Sequence, residues 1–310
     1  IGSQTYGAKV SLAGDTSLSG TSASLGGVEG NNNNLSLNFS NGSVAIDKGF
    51  SGIANFVAET DVNLDGSFST SGLQTYKAGA TLNSDTILSG TTASFAQAVE
   101  GGGNNLSLNM SGLTSLTSGV ENIADFSSTG DVSLAGNFTT AGSQTYGGNV
   151  SLAGDTSLSG TTASLSGVSG NNNNLSLNFS GDTVSLAGNF NNISDFTAET
   201  AISLNGGLTT TGSQSFKGAT SLTGDTTLTG TSSSCSQSIN GNGNDLVLSM
   251  NGSTTLSQGA SNLKNFSSLG DLSLAGNLSS SGSQTYSGNV SLLGDSQLSG
   301  TNATFANGLN

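Results

Sequence analysis

One aspartate returns at a fixed interval along the chain, and carboxylates are groups that bind metal ions or transfer protons. Asp15, Asp85, Asp155, Asp225 and Asp295 follow one another at equal steps. Ca²⁺ takes about six to eight oxygen ligands, and no second carboxylate keeps a fixed spacing to these aspartates. The alternative is an Asx-turn, in which the carboxylate accepts backbone N–H groups at a bend. We predict the turn, and expect no cofactor beyond weak, unspecific Ca²⁺ binding.

The residues on which most active sites depend are missing. The chain of 310 residues contains neither His nor Arg, and these side chains supply much of the acid–base and electrostatic chemistry of enzymes. Every polar feature is repeated, whereas an active site is a single constellation. The sequence therefore predicts a protein that is not an enzyme.

A glutamine recurs with the same period, at Gln4, Gln74, Gln144, Gln214 and Gln284. Its place in the local pattern predicts an inward-facing side chain, and a buried amide must find hydrogen-bond partners. We expect it to bind the backbone at a bend, the alternative being a ligand-binding role.

The single cysteine lies at a position where other repeats carry large apolar residues. Cys235 aligns with Leu25, Phe95, Leu165 and Phe305, and free cysteine packs as a small apolar side chain. We predict a core residue, with a reactive thiol as the alternative. By the same logic Met110 and Met250 replace Phe39 and Phe179.

Composition limits the classes of partner. Charged residues make up 8% of the chain, the net charge is −14, and all five cations are Lys. An acidic chain without a basic patch is a poor ligand for nucleic acid or anionic membranes. No apolar run reaches the roughly 18 residues of a membrane span. The chain begins at Ile1 without a signal sequence, so we expect an excerpt from something longer.

Internal repetition is the strongest signal. Residues 2–6 (GSQTY) return with small changes at 72–76, 142–146, 212–216 and 282–286. The chain therefore consists of repeats 1–70, 71–140, 141–210 and 211–280 and a partial repeat, 281–310. Repeats one and three share GNNNNL, while repeats two and four carry glycine-rich versions, GGGNNL and GNGNDL. This alternation indicates a super-period of two repeats.

A finer rhythm, in hexads, predicts the fold. Residues 131–160 divide into DVSLAG, NFTTAG, SQTYGG, NVSLAG and DTSLSG. The second and fourth positions are mostly apolar and share one face of a strand, and glycine at the sixth suits a bend. We predict an all-β chain, 1–310, folded as one continuous parallel β-helix (β-solenoid). Aligning Val132, Val150, Leu175 and Ile202 as equivalents in successive turns predicts three turns in each repeat.

The asparagine runs are the candidate contact sites. Asn31, Asn32, Asn33 and Asn34, and their counterparts Asn171, Asn172, Asn173 and Asn174, are predicted to be inserted loops. If every repeat advances by whole turns, the loops lie along one side and could contact a neighbouring filament. The alternative is solvated insertions without a role. Thr139–Thr140 and Thr209–Thr211 resemble the threonine rows of ice-binding solenoids, but the other outward positions are mixed.

The block of residues 142–161, in which GSQTY is followed by V-x-L-x-x-D-T-x-L-x-G-T, resembles repeats of large bacterial exoproteins. These are the filamentous-haemagglutinin-like adhesins of two-partner secretion and related autotransporter passengers. The resemblance covers five copies of the block, beginning at residues 2, 72, 142, 212 and 282. It implies a right-handed helix and a secreted or cell-surface location.

Two classes of function follow from these expectations. The first is a structural shaft or filament segment of a fibrous adhesin or matrix protein. The second is a multivalent binding surface, in which the loops contact a receptor, a glycan or a neighbouring filament. An ice-binding solenoid is a third, minor alternative.

Overall fold

The computed structural model describes residues 2–181 and 183–310, and within these residues every regular element is a β-strand. The strands up to residue 160 are β1 (Gln4–Tyr6), β2 (Val10–Ser11), β3 (Thr16–Gly20), β4 (Ala23–Leu25), β5 (Val28–Phe39), β6 (Val44–Ile46), β7 (Phe50–Ala58), β8 (Val62–Thr70), β9 (Leu73–Tyr76), β10 (Ala80–Gly90), β11 (Thr92–Phe95), β12 (Val99–Glu100), β13 (Leu106–Met110), β14 (Thr114–Leu116), β15 (Val120–Ile123), β16 (Phe126–Ser128), β17 (Val132–Thr140), β18 (Ser143–Tyr146) and β19 (Val150–Gly160). The later strands are β20 (Thr162–Leu165), β21 (Val168–Phe179), β22 (Val184–Ala187), β23 (Phe190–Ala198), β24 (Ile202–Thr210), β25 (Ser213–Phe216), β26 (Thr220–Gly230), β27 (Ser232–Cys235), β28 (Ile239–Asn240), β29 (Leu246–Met250), β30 (Ser253–Leu256), β31 (Ala260–Leu263), β32 (Phe266–Ser268), β33 (Asp271–Leu274), β34 (Leu278–Ser280), β35 (Ser283–Tyr286), β36 (Val290–Leu292), β37 (Leu298–Ser299) and β38 (Asn302–Phe305).

The strands pair in parallel and stack as a β-solenoid of about 16 turns, which confirms the predicted fold class. Each turn has three strand segments and therefore three faces, beginning in the first turn with β1, β2 and β3. The number of residues in a turn varies. Ile53 pairs with Thr70 in the next turn, whereas Val28 pairs with Phe50, which lies farther along the chain. By its internal contacts the chain divides into two compact units, Ile1–Gly154 with Ser159–Thr161 and Asp155–Leu158 with Thr162–Asn310.

The prediction of three turns in each repeat is wrong. Leu175 pairs with Phe196 and not with Ile202, so the turns are shorter than the predicted alignment requires. In the first unit the glutamine of each repeat lies on a different face. Gln4 lies in β1 and therefore on the first face. Gln74 lies in β9, which is connected by strand pairing through β7 and β5 to β3, on the third face. Gln144 lies in β18, which is connected through β16, β13, β10, β8, β7 and β5 to β2, on the second face. One repeat therefore advances along the solenoid by three complete turns and two of the three faces of the next turn. The misalignment arose because the same apolar alternation occurs on all three faces.

The core is the column of inward side chains inside each unit. Alternate residues of the strands are buried, as Val132 and Leu134 are at 0% exposure each. Aromatic rings stack from turn to turn, and those of Tyr76 and Phe95 are parallel with centroids 4.5 Å apart. Each inward side chain contacts neighbours above, below and across, so stability accumulates with the number of turns.

Candidate functional site

The recurrent aspartate is the first member of a ladder of side chains that runs from turn to turn. Asp15 accepts the backbone N–H of Asn34 at 2.9 Å and its amide Nδ2 at 3.0 Å. Asn34 Oδ1 in turn accepts the backbone N–H of Asn55 at 3.1 Å, and Asn55 Oδ1 accepts the N–H of Leu73 at 2.9 Å. The carboxylate thus binds the following turn and not its own bend, so the predicted Asx-turn is wrong in detail.

The ladder recurs once in each complete repeat. In the first unit Asp85, Asn105, Asp125 and Ser143 follow the same order, and in the second unit Asp155, Asn174, Asp195 and Ser213 do so. The fourth repeat has a carboxylate in place of the first amide, because Asp245 donates its N–H to Asp225 Oδ1 at 2.9 Å. Hydrogen bonds from backbone N–H groups to the carboxylates lower the pKa of Asp15 and Asp195.

The recurrent glutamine fastens the backbone from inside the solenoid, as predicted. The Gln74 side chain is fully buried. Its Nε2 donates to the carbonyls of Phe68 at 3.1 Å and of Ser89 at 2.9 Å, the latter in the following turn. Its Oε1 accepts the hydroxyl of Tyr76 at 2.8 Å. We call this arrangement the Gln–Tyr staple. Gln144 and Gln284 repeat all three contacts, and Gln214 repeats those of the amide nitrogen.

The asparagine runs are corners of continuous strands and not inserted loops. Asn31 and Asn32 have φ angles of 50° and 64° within β5, a left-handed conformation that asparagine tolerates. Asn33 Nδ2 donates to Gly30 O at 3.0 Å, and Asn34 belongs to the ladder. In the second unit Asn171 to Asn174 repeat this geometry inside β21, where the φ angles of Asn171 and Asn172 are 49° and 62°. Among the exposed asparagines, Asn32 and Asn172 make the fewest hydrogen bonds with the surrounding corner residues.

Consecutive repeats place these corners differently. In the first unit residues 31–34 join the faces of β2 and β3, whereas the glycine-rich residues 101–105 join the faces of β1 and β2. A single row containing the corner of every repeat is therefore wrong, because a repeat does not contain a whole number of turns. The lateral-contact role of the eight asparagines stays a prediction.

A shallow groove lies at the glycine-containing corner in repeats two and four. One groove, of ≈ 430 Å³, is lined by Gly103, Asn122, Ile123 and Thr140, among others. Its counterpart two repeats later, of ≈ 400 Å³, is lined by Gly243, Asn262, Leu263, Ser279, Ser280 and Ser281. Both grooves are open and neither gathers more than one ionisable side chain.

Cys235 is buried at 1% exposure, which confirms its place in the core, and burial raises the pKa of its thiol to about 12. Met110 and Met250 are buried at 3% each, like the phenylalanines that they replace. Thr140 and Thr210 also point inward, so the paired threonines do not form the flat array that their sequence suggests.

A regular row of hydroxyl groups does exist, and it was missed. In the second unit the central outward residues of seven successive turns are in register and all carry hydroxyls: Ser176, Thr197, Ser215, Ser234, Thr255, Ser273 and Ser291. The corresponding row of the first unit is interrupted once, by Val57: Ser17, Ser36, Val57, Thr75, Ser94, Ser115 and Ser133. The available signal was the nearly constant spacing of these positions, which is the length of one turn.

The charged side chains are distributed over the surface. Lys9, Lys77 and Lys217 pair with Glu29, Glu59 and Glu199 at 2.6 to 2.7 Å, with more than half of each lysine side chain exposed. Exposed pairs of this kind contribute little stability. Within residues 2–181 and 183–310, no group of three or more acidic or cysteine side chains could hold a metal ion.

Comparison with known proteins adds no relative. No family model, no curated protein and no solved structure matches the chain. In the described part of the chain, no helix is long and apolar enough to cross a membrane.

Proposed function

We propose that this chain is a structural, non-catalytic segment of a shaft or filament in a secreted or cell-surface fibrous adhesin or matrix protein. The observation that carries the proposal is that the recurrent polar side chains form hydrogen bonds within the scaffold. The Asp–Asn ladder and the Gln–Tyr staple both join one turn to the next. Groups that an enzyme would direct at a substrate are here engaged in holding the scaffold together.

The extracellular location rests on the exoprotein-like repeats, and the absence of catalysis on the recurrence of the Asp–Asn ladder and the Gln–Tyr staple from repeat to repeat. Immunogold electron microscopy of the producing cells tests both the location and the assembly. We expect antibodies against this chain to label surface or matrix filaments. Labelling confined to the cell interior, or release of sugar products from a panel of polysaccharides by the purified chain, would overturn the proposal.

Neighbouring copies or filaments are the partners that we propose, with surface glycans or receptors as the alternative. Asn32 and Asn172 are the side chains to test, because both are exposed and, among the described residues, Asn32 accepts only one exposed bond, from Ser71 at 3.3 Å. The third and fourth asparagines of each corner make several hydrogen bonds within the solenoid. The double variant Asn32→Ser and Asn172→Ser should weaken bundling in sedimentation assays and leave the circular dichroism unchanged. Unchanged bundling and adhesion would assign the corners a purely structural role.

The row of seven outward hydroxyls in the second unit favours a second candidate, binding to ice. Parallel strands repeat at about 4.8 Å, so the row presents hydroxyls in a regular, rigid line. Ice-recrystallisation inhibition by the purified chain tests this candidate. Thr197→Tyr and Ser234→Tyr, which interrupt the row, should abolish inhibition, while Asn32→Ser should not. A wild-type chain without inhibition would eliminate ice binding and leave the structural function standing.

A further inference from the structure

Repeat four contains a column of polar atoms that face the interior without a partner. Among the described residues, Gln214 Oε1, Ser233 Oγ and Thr254 Oγ1 are buried and make no hydrogen bond. Gln214 pairs in register with Ser233, and Ser233 with Thr254. The three side chains therefore lie one above another on successive turns, with exposures of 1%, 4% and 1%.

The sequence explains why this column arises only here. Gln74, Gln144 and Gln284 receive a hydrogen bond from the tyrosine two residues on, but Gln214 is followed by Phe216, which has no hydroxyl. Ser233 stands where the other repeats have Ala23, Ala93, Ala163 and Ala303. Thr254 stands where repeats one and three have Val44 and Val184 and repeat two has Thr114. Repeat four has therefore lost the tyrosine donor and gained the Ser233 hydroxyl, next to a threonine that it shares with repeat two.

The same repeat has also lost a large ring. In repeat two, Phe95 stacks on Tyr76 with ring centroids 4.5 Å apart. In repeat four, Cys235 pairs in register with Phe216 at the equivalent place. The side chain beside the polar column is thus smaller in repeat four than in repeat two. The Ser233 hydroxyl lies close enough to the Cys235 thiol to lower the thiol pKa by hydrogen bonding, against the larger effect of burial. The geometry does not meet the criteria of a hydrogen bond, and because a thiol is a weak hydrogen-bond partner, the Ser233 hydroxyl is still able to bind water.

The spacing of the column fits a bridging molecule of one size. Adjacent strands lie about 4.8 Å apart, and a direct hydrogen bond needs about 2.7–3.2 Å. A water molecule that makes two bonds of about 2.8 Å at the tetrahedral angle spans about 4.6 Å, which is close to the strand spacing. Buried waters occupy sites that offer two or more polar partners of this kind.

We propose that the lumen of repeat four binds internal water, which bridges Gln214 Oε1, Ser233 Oγ and Thr254 Oγ1. The site takes water rather than a cation, because its groups are a neutral amide and two hydroxyls. Internal water then takes the place of the tyrosine hydroxyl, which donates a hydrogen bond to the glutamine Oε1 in the other repeats.

Magnetic relaxation dispersion of water oxygen, which counts long-lived internal water molecules, tests the proposal on the intact chain. The double variant Ser233→Ala and Thr254→Val should lose at least one such water, and so should Phe216→Tyr, whose hydroxyl supplies the missing donor to Gln214. Thr220→Val is the matched control. Thr220 Oγ1 is also buried and unpartnered among the described residues, but its register partners are Ile202 and Ile239, so its removal should leave the count unchanged.

A crystal structure of the wild-type chain gives an independent readout, with electron density expected within hydrogen-bond distance of Gln214 Oε1 and Ser233 Oγ. The proposal is overturned if both test variants retain the wild-type number of long-lived waters, or if Thr220→Val loses as many as they do. Density showing the hydroxyls bonded directly to each other would also overturn it.

Discussion

The hydroxyl of Tyr76 donates a 2.8 Å hydrogen bond to Oε1 of Gln74, two residues earlier in the same strand. Both side chains are fully buried. The tyrosine thereby completes the hydrogen bonding of an amide whose nitrogen already binds two backbone carbonyls. A motif that reads as Gln-x-Tyr in the sequence is thus one hydrogen-bonded unit in the core.

Tyr76→Phe should destabilise the solenoid by about 1–3 kcal/mol, because it leaves a buried acceptor without a donor. Tyr6→Phe provides the matched control. The Tyr6 hydroxyl makes the same bond to Gln4 at 3.2 Å, but Tyr6 is 38% exposed, so water can replace the bond. Urea unfolding followed by circular dichroism measures both changes. Equal changes in the free energy of unfolding would show that the buried hydrogen bond contributes no more stability than the exposed one.

The fourth ladder differs from the others by a carboxylate. Asp225 and Asp245 occupy adjacent turns, where the first three repeats have an aspartate below an asparagine. Like charges directly opposite each other on neighbouring strands destabilise a sheet, and cross-strand pairs change stability by about 0.2–1 kcal/mol each. Asp245→Asn should therefore stabilise the chain by that amount, although it also removes the exposed 3.6 Å ion pair with Lys264.

The reverse substitution in repeat two is the control for this prediction. Asn105→Asp places a second carboxylate against Asp85, with which Asn105 now makes bonds of 2.9 and 3.1 Å. It should lower the urea midpoint where Asp245→Asn raises it. A decrease in both variants would mean that the identity of the side chain, and not its charge, determines the ladder's contribution.

Stability should fall in acid because the ladder binds aspartate in its ionised form. The backbone N–H of Ser213, and then its hydroxyl, hold the pKa of Asp195 below its ordinary value of 3.8. A lowered folded-state pKa contributes stability that is present above pH 3.8 and is lost as the pH falls through the folded pKa. Asp195→Asn should reduce this loss, since an amide oxygen accepts the same bonds at any pH.

Repeat four already carries that amide, and this gives a control. Asn265 Oδ1 accepts the N–H and hydroxyl of Ser283 at 2.9 and 3.2 Å, as Asp195 does with Ser213. Asn265→Asp should make the thermal midpoint more dependent on pH in the acid range, and Asp195→Asn less dependent. Thermal unfolding from strongly acidic to neutral pH measures both slopes, and identical pH profiles for the two variants and the wild type would contradict the assignment.

The sequence was sufficient for the fold class but not for the geometry between turns. Alternating apolar residues and regularly spaced glycines predict short strands with an inward face, and Val132 and Leu134 are indeed fully buried. The number of turns per repeat was not predictable from that alternation, because Leu175 fits the pattern of any face. The partner of Asp15 was missed for a related reason: Asn34 lies 19 residues away, a spacing that has meaning only once the length of a turn is known.

The thiol of Cys235 should react slowly in the folded chain. It is 1% exposed, and burial raises its pKa to about 12, so both access and the thiolate fraction are low. A maleimide reagent at neutral pH should label the native chain at least about a hundredfold more slowly than the chain unfolded in urea.

The control for this prediction moves the thiol by one residue along the same strand. Ser234→Cys combined with Cys235→Ala places it on the outward face of β27, where Ser234 is exposed, and this variant should react rapidly without urea. Rapid labelling of native Cys235 would mean that the core of repeat four opens frequently. Equal rates at positions 234 and 235 would contradict the alternation of inward and outward residues along β27, because a side chain on the inward face is shielded by the turns above and below it.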